Sequence, residues 1–491
     1  MKLMKLKKMT AVLLSGILLS SLGCSRTSSD HTAETMETVP AESITETDTV
    51  KLSPNLEKID YNGYKMTFFV WGNPTDLYTN YFDIFAEEET GDPVNDAILH
   101  RNHEIEDKYN VEITVANASA SDMVNDVAAA VMSGDTFYDV VMPGMGRAMG
   151  MGIDGILTSV QYFPVINPEM PWWNKNILKE TEILGVNYFL MGDINVQAWS
   201  QNALVYFNKA IAKNYNIENL YDLVRNGEWT LNRFIEISTS VYNDLDGDAD
   251  YDADDLYGVT TSSFGVPCLV YGTGIKFIQK DAEGHMTFVL DEQFLTAYER
   301  ILNFCNNPNS LYTDLPKYTD QRAELTWKSF TEDRALFLIE KFDVYSKLRE
   351  MESDFGMLPM PKYDETQKDY TTWTHQNNGS TIVIPKVYND IDMTCRILED
   401  MAYLSMEYVR PAYYETSLER KYARDSDSQE MLEIIFNNIT YDLSYVINLP
   451  INNTMRQLVN NNTTDFTSKF VAGVESHNAK LQEIEEAIEQ Q

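Results

Sequence analysis

Tyr64-Lys65-Met66-Thr67-Phe68-Phe69-Val70-Trp71, closed by Gly72-Asn73-Pro74, is the stretch on which the fold class turns. Its aromatic and β-branched residues read as a strand, and Gly-Asn-Pro reads as the turn that ends it. Outward from it the pattern alternates. Val94 to Tyr109 reads as a helix, and Val111, Ile113 and Val115 alternate as a strand. Val124, Val127, Ala128, Val131 and Met132 recur at helical spacing, with Gly134 where a C-cap glycine belongs. Asp139-Val140-Val141-Met142 is a short apolar strand stopped by Pro143-Gly144. Strand, helix, strand, helix, strand implies an α/β lobe with a largely parallel sheet. Ligands of open sheets bind beyond the carboxyl ends of the strands. Trp71 to Asn73 and Gly144 to Arg147 therefore fall on a candidate rim.

A second series begins near Asn202. Ala203 to Lys209 reads as a strand running into a helix. Thr230 is a helix N-cap, and Phe234, Ile237 and Val241 form the apolar stripe behind it. Phe466, Phe470, Val474, Leu481, Ile484 and Ile488 line one face of a final helical region.

The beginning of the chain carries an address. Lys2, Lys5, Lys7 and Lys8 precede an uncharged apolar run, Ala11 to Leu22. That run falls short of the roughly 20 residues of a membrane span and reads as a signal peptide over residues 1–23. Small residues before Cys24 resemble a bacterial lipobox, with Ser21 where Leu is usual. Cys24 is then the lipidated first residue. Residues 25–50 hold eleven Ser or Thr and six acidic residues, with few aliphatics. Such a segment cannot bury enough apolar surface to offset its ordering entropy, so residues 24–62 are expected to be a disordered tether.

About 430 residues follow, more than one usual core holds, so two lobes are expected. The formal charge of −37 excludes nucleic acid as a partner and disfavours anionic membrane surfaces. Besides Cys24 only Cys268, Cys305 and Cys395 remain, which is no disulfide framework.

Several segments, in order, resemble the family 1 extracellular solute-binding proteins, which include the maltose-binding type. They are Arg101 to Val111, Val205-Tyr206-Phe207-Asn208-Lys209, and Glu228-Trp229-Thr230 through Glu236 with Leu256-Tyr257-Gly258 after an acidic loop. Phe355 to Pro361 and Asn378 to Lys386 complete the set. The resemblance implies a periplasmic-binding-protein-like α/β fold, two α/β lobes with a hinge and an interlobe cleft. It places chain crossings near Asp193 to Trp199, Trp373 to Gly379 and Arg410 to Tyr414. Lobe one is then 63–195 with 379–412, and lobe two is 196–378 with 413–491. It also implies capture without chemistry: a lipid-anchored receptor on the extracellular face of a bacterial membrane delivers a solute to ABC permease subunits. Sugar is the family's usual solute.

Sugar binding needs aromatic faces and planar polar groups. The candidates at strand ends and crossings are Trp71, Asn73, Arg147, Asp193, Trp199, Gln201, Trp373, His375, Asn377 and Tyr413. The competing reading makes the tryptophans lobe packing and the polar residues hinge capping. Trp229 is expected in the core. No catalytic residue or required cofactor is assigned. A secreted glycosidase needs two carboxylates at a set separation, and no local motif marks them. A sensing or adhesive lipoprotein without a permease is the other alternative.

One motif carries its own chemistry. Asp244, Asp246, Asp248, Asp250, Asp252 and Asp255 occupy positions 1, 3, 5, 7, 9 and 12 of an EF-hand-like loop, a possible structural Ca²⁺ site. Ala249 stands where Gly is usual, and Asp at position 12 resembles dockerin loops. The alternative is a solvated acidic loop.

Overall fold

The computed structural model describes residues 52–72, 80–314, 322–348, 351–375, 379–417 and 426–491. The signal peptide, Cys24, Asn73 and Asn377 lie outside the described residues. Strands β1 (Tyr64–Trp71), β2 (Val111–Ala118) and β3 (Val140–Met142) form a parallel sheet in the order β2-β1-β3. Val141 pairs with Val383, and Leu190 with Ile382, which carries this sheet outward. Both faces of β1 are covered, as parallel sheets require. Met66, Phe68 and Val70 pack with Ile105, Tyr109 and Ile382. Phe69 on the other face packs with Met123, Val127 and Val141.

The intervening helices start and stop where their caps say. Asp92 accepts backbone N–H bonds from Val94 and Asn95 to open Pro93–Tyr109. Gly134, at φ +77°, closes Ala120–Ser133 in the left-handed conformation that glycine adopts without strain. Docking of the chain begins ahead of Gly63, which corrects the expected end of the tether. The Tyr61 N–H bonds the Tyr109 carbonyl at 2.9 Å, and Ile59 and Tyr61 pack on the first core.

The second sheet is built from β4 (Ala203–Asn208), β5 (Tyr242–Asn243) and β6 (Leu256–Thr261), followed by the separate hairpin β7 (Ile278–Lys280) and β8 (Met286–Phe288). It is completed by β9 (Ser310–Tyr312), β10 (Ala335–Lys341) and β11 (Phe355–Leu358). The order is β11-β4-β10-β6-β5, with β9 also on β6. β6, β9 and β10 run parallel, while β4 runs against β10 and β11. Gly258 on β6 lets the helix Leu231–Thr239 approach closely, because a methyl there would sit 1.6 Å from the Ser238 carbonyl oxygen. Thr230 caps that helix by accepting the Arg233 N–H. Trp229 is fully buried and donates to the Pro359 carbonyl at 2.9 Å. β12 (Thr372–Trp373) and β13 (Ile439–Thr440) form a parallel pair.

Among the described residues the chain passes between the sheets at three places. Leu190 belongs to the first sheet and Ala203 to the second. Thr374 bridges to Asn202, and Ser380 bridges to Gly144. Helix Ile391–Leu404 packs on the first core, a π-helical turn spans Ser405–Val409, and helix Arg410–Ser417 follows. Val409 and Tyr413 already pack with Leu204 and Tyr206 of the second sheet. The final helix, Phe466–Glu489, bridges the two sides: it packs on the β7–β8 hairpin, while Gln491 just beyond it donates to the Gly152 carbonyl. Among the described residues no helix is long and apolar enough to cross a membrane.

Candidate functional site

The carboxyl ends of β6, β9 and β10 share one edge, so Ser262–Phe264, Thr313–Asp314 and Phe342–Asp343 leave the sheet together. β4 runs the other way, so Gln201 and Asn202 enter at that same edge. Lys341 joins these groups: its Nζ lies 2.9 Å from Asp343 Oδ2 and 3.5 Å from Gln201 Oε1. Gln201 is buried and donates from Nε2 to Ser200 Oγ at 2.8 Å. The His375 N–H bonds the Gln201 carbonyl at 3.2 Å, which holds the second crossing against the first.

His375 lies among Phe264, Trp373 and Tyr445, at centroid distances of 6.3, 5.8 and 6.2 Å. Its Nδ1 is buried and makes no hydrogen bond. Burial, with Lys341 and Arg456 adding like charge, pushes its pKa down to about 3, so the imidazole is neutral. Trp373 is 1% exposed, stacked on Tyr271 at 6.0 Å and edge-on to Tyr445 at 4.7 Å.

The first sheet meets this edge through the helix Met145–Ile153, which follows β3 and carries half-buried Arg147. That helix packs on Leu443–Val446, the helix that carries Tyr445. Trp71 sits half-buried at the end of β1. The helix after β3 thus lies beside the Tyr445 side of this cluster.

The other candidates gather elsewhere. Asp193, Trp199, Arg410 and Tyr414 line a pocket of about 380 Å³ at the first and third crossings, with Trp172 and Trp173 in its wall. Trp199 lies edge-on to Tyr413 at 4.9 Å, and Tyr413 is itself buried. Both wall indoles are committed: Trp172 and Trp173 donate from Nε1 to Glu399 at 3.1 and 2.8 Å. Gln201, Trp373 and His375 do not line this pocket. Lys341, Asp343, Asp314, Phe264 and Tyr445 escaped the sequence reading. Glu340-Lys341-Phe342-Asp343 is a charged end to an apolar strand, a signal that would have found two of them.

In the acidic loop, carboxylate oxygens of Asp244, Asp246 and Asp255 lie within 4.8 Å of one another, as do those of Asp246, Asp248 and Asp252. Asp250 joins neither group. Ala249 adopts φ +66°, the conformation that Gly supplies at position 6 of such loops. Asp255 is buried and accepts from Tyr242 Oη at 2.8 Å.

No family profile and no curated protein sequence matches the chain. Solved structures do. The open form of a sugar transporter from Rhizobium etli has a TM-score of 0.55 at 13% identity, over 87% of this chain and 99% of that one. The sugar-binding protein MalE of Xanthomonas citri has 0.55 at 13%, over 87% and 98%. An ABC substrate-binding protein of Listeria monocytogenes in complex with cycloalternan has 0.53 at 11%, over 87% and 99%. The class is thereby set: the protein has the periplasmic-binding-protein-like fold, two α/β lobes joined by a hinge. The likeness covers nearly the whole of each neighbour and is one of fold.

Buried carboxyls make stability depend on pH. Burial pushes Asp83, Asp193 and Glu340 up to about 7. Each favours the protonated folded form, so stability falls as pH rises through about 7. His375, with its depressed pKa, opposes this only below about pH 6.5. Unfolding free energy is therefore expected to drop by on the order of 1–2 kcal/mol between about pH 6.5 and pH 8. Urea titrations at the two pH values check this, and equal or higher stability at the upper pH counts against it.

Proposed function

We propose that this protein is a family 1 solute-binding receptor of an ABC importer, and that it captures a sugar or oligosaccharide between its lobes. One observation carries the reading. Where the carboxyl edge of the second sheet meets the first and second crossings, aromatic rings (Phe264, Trp373, Tyr445) pack around His375, which bonds Gln201, and Gln201 faces the Lys341–Asp343 pair. Such a mixture suits sugar rings and their hydroxyls. A ligand touching both lobes favours the closed arrangement by its differential affinity for it. The protein is not an enzyme in this reading. The rival glycosidase reading rests on Asp314 and Asp343 at the same edge, and hydrolysis of a glycan panel decides between them. Calorimetry of the mature protein against a glycan library tests capture, with solution scattering on any ligand found. A ligand that leaves the radius of gyration unchanged removes hinged closure from the account.

Cys24 supplies the anchor on the outer face of the membrane. Cys24→Ser is expected to release the protein into the medium, and unchanged membrane retention would exclude anchoring through this thiol.

The acidic loop holds Ca²⁺ as a structural ion in this proposal. Affinity in the range of ~10⁻⁴–10⁻³ M or tighter is expected of an extracellular module. At ten times Kd the ion adds about 1.4 kcal/mol to stability. Asp244→Ala with Asp248→Ala abolishes that gain. A melting temperature equal in millimolar Ca²⁺ and in chelator would count against the site.

A further inference from the structure

The pocket at the crossings shares no lining residue with the sheet-edge cluster. Trp172 and Trp173 and the strand-like segment through Gly192 and Asp193 come from the side of the first sheet. Phe436 comes from the helix Ser426–Asn437, which packs against β11 of the second. Trp199 and Tyr414 stand on the crossings themselves. Any rotation of one lobe against the other must change this volume.

The pocket wall contains an ion pair, Asp193 with Arg410. Asp193 is 6% exposed, and its Oδ2 accepts no hydrogen bond. Arg410 Nη1 pairs with that oxygen at 3.1 Å and also donates to the Pro171 carbonyl at 3.5 Å. The ion pair leaves hydrogen-bonding capacity of the carboxylate unused, and an incoming hydroxyl donor takes it up.

We propose that this pocket is a second ligand site, separate from the sheet-edge cleft, which takes a small neutral polyhydroxylated molecule through Asp193 and Arg410. Charge selects the class. An anion meets Asp193, and a cation meets Arg410 and Lys175. A hydroxyl both donates and accepts, so neighbouring hydroxyls satisfy the two groups together. Trp199, Tyr414 and Phe436 offer apolar faces for the carbon skeleton. About 380 Å³ limits the guest to roughly the size of a monosaccharide. Burial pushes the Asp193 carboxyl up to about 7, and in either protonation state it hydrogen-bonds a hydroxyl. Because the pocket spans the hinge, its guest also biases lobe closure. That consequence, unlike binding itself, rests on the capture mechanism proposed above.

The test is ligand-observed saturation-transfer NMR on the mature chain with xylitol, myo-inositol and glucose as probes. Four proteins are compared: wild type, Asp193→Asn, Asn176→Trp and Lys341→Ala. Asn176 is an exposed rim residue, so its replacement blocks the mouth without touching the core. At least one probe is expected to bind wild type and Lys341→Ala alike, and to bind both pocket variants tenfold or more weakly. Binding that survives both pocket variants overturns the second site. So does binding lost only in Lys341→Ala, which puts the probe in the cleft and leaves capture standing. No probe bound by wild type at ~10 mM overturns it too. Failure of capture itself is read separately, as silence across the whole glycan library.

Discussion

Arg101→Met is expected to destabilise the protein by about 3–5 kcal/mol, because it strands a network buried at the hinge. Arg101 is fully buried on the helix Pro93–Tyr109. It donates to the Asp83 carbonyl at 3.0 Å, to Ser405 Oγ at 3.1 Å and to Asn102 Oδ1 at 2.9 Å. The Asp83 carboxylate takes up the rest: Oδ1 accepts from the Gln197 N–H at 2.8 Å, and Oδ2 accepts from Ser380 Oγ at 2.5 Å. Asn195 Nδ2 also reaches Ser380 Oγ, at 2.8 Å. Gln197 and Asn195 are on the first crossing, Ser380 is on the second, and Ser405 opens the π-helical turn of the third. Arg101, through the Asp83 carbonyl and Ser405, and the Asp83 side chain, through Gln197 and Ser380, together tie all three crossings. Burial pushes Asp83 up to about 7 and lowers Arg101 to about 10, so the guanidinium keeps its charge at neutral pH. Arg101→Met strands the Asp83 carbonyl and removes the cation near the Asp83 carboxyl, whereas Asp83→Asn removes the charge that this cation offsets. Arg101→Met with Asp83→Asn should thus cost less than the sum of the single changes. Equilibrium urea unfolding of the cycle measures this. A single Arg101→Met within about 1 kcal/mol of wild type would show that the network is not holding the hinge.

None of this network was legible in the sequence, and the reason is distance along the chain. Arg101 was read as one residue of a helix running into a strand, yet its partner Ser405 lies 304 residues away. Periodicity reports which face of an element is buried, not what covers it. Where the signal is local, reading succeeds. β1 was legible because Phe68-Phe69-Val70-Trp71 is an apolar run with a turn signal directly after it. Gly134 and Thr230 were legible because caps are satisfied within a turn of their own helix. The candidate cleft falls between these cases. Trp71 and Arg147 follow from strand ends, but Lys341 reaches Gln201 across a separation of 140 positions, once both strands lie in one sheet. The division of the candidates between a sheet-edge cluster and a hinge pocket was also invisible. Trp199 and Gln201 are two residues apart, and a short helix ending at Ser200 sends them to different surroundings.

The tryptophans make the sharpest remaining test, because sequence treats Trp71, Trp199 and Trp373 alike and the structure does not. Trp373 is 1% exposed, packed between Tyr271, Tyr445 and Phe264. Trp373→Ala removes a large ring from a filled space and is expected to cost about 3–5 kcal/mol of stability. Trp71 and Trp199 are only half-buried. Their truncation should cost less stability than that of Trp373. If Trp71 is a platform at the end of β1, Trp71→Ala weakens saccharide binding by about 1–3 kcal/mol, roughly 5- to 150-fold in Kd. Trp199→Ala should spare the cleft ligand's contacts and act on the hinge pocket instead. Stability and affinity are to be measured on the same three mutants, once the glycan screen supplies a ligand. A folded Trp373→Ala as stable as wild type would move that ring out of the core. A Trp71→Ala with unchanged affinity would move the cleft away from the carboxyl end of the first sheet.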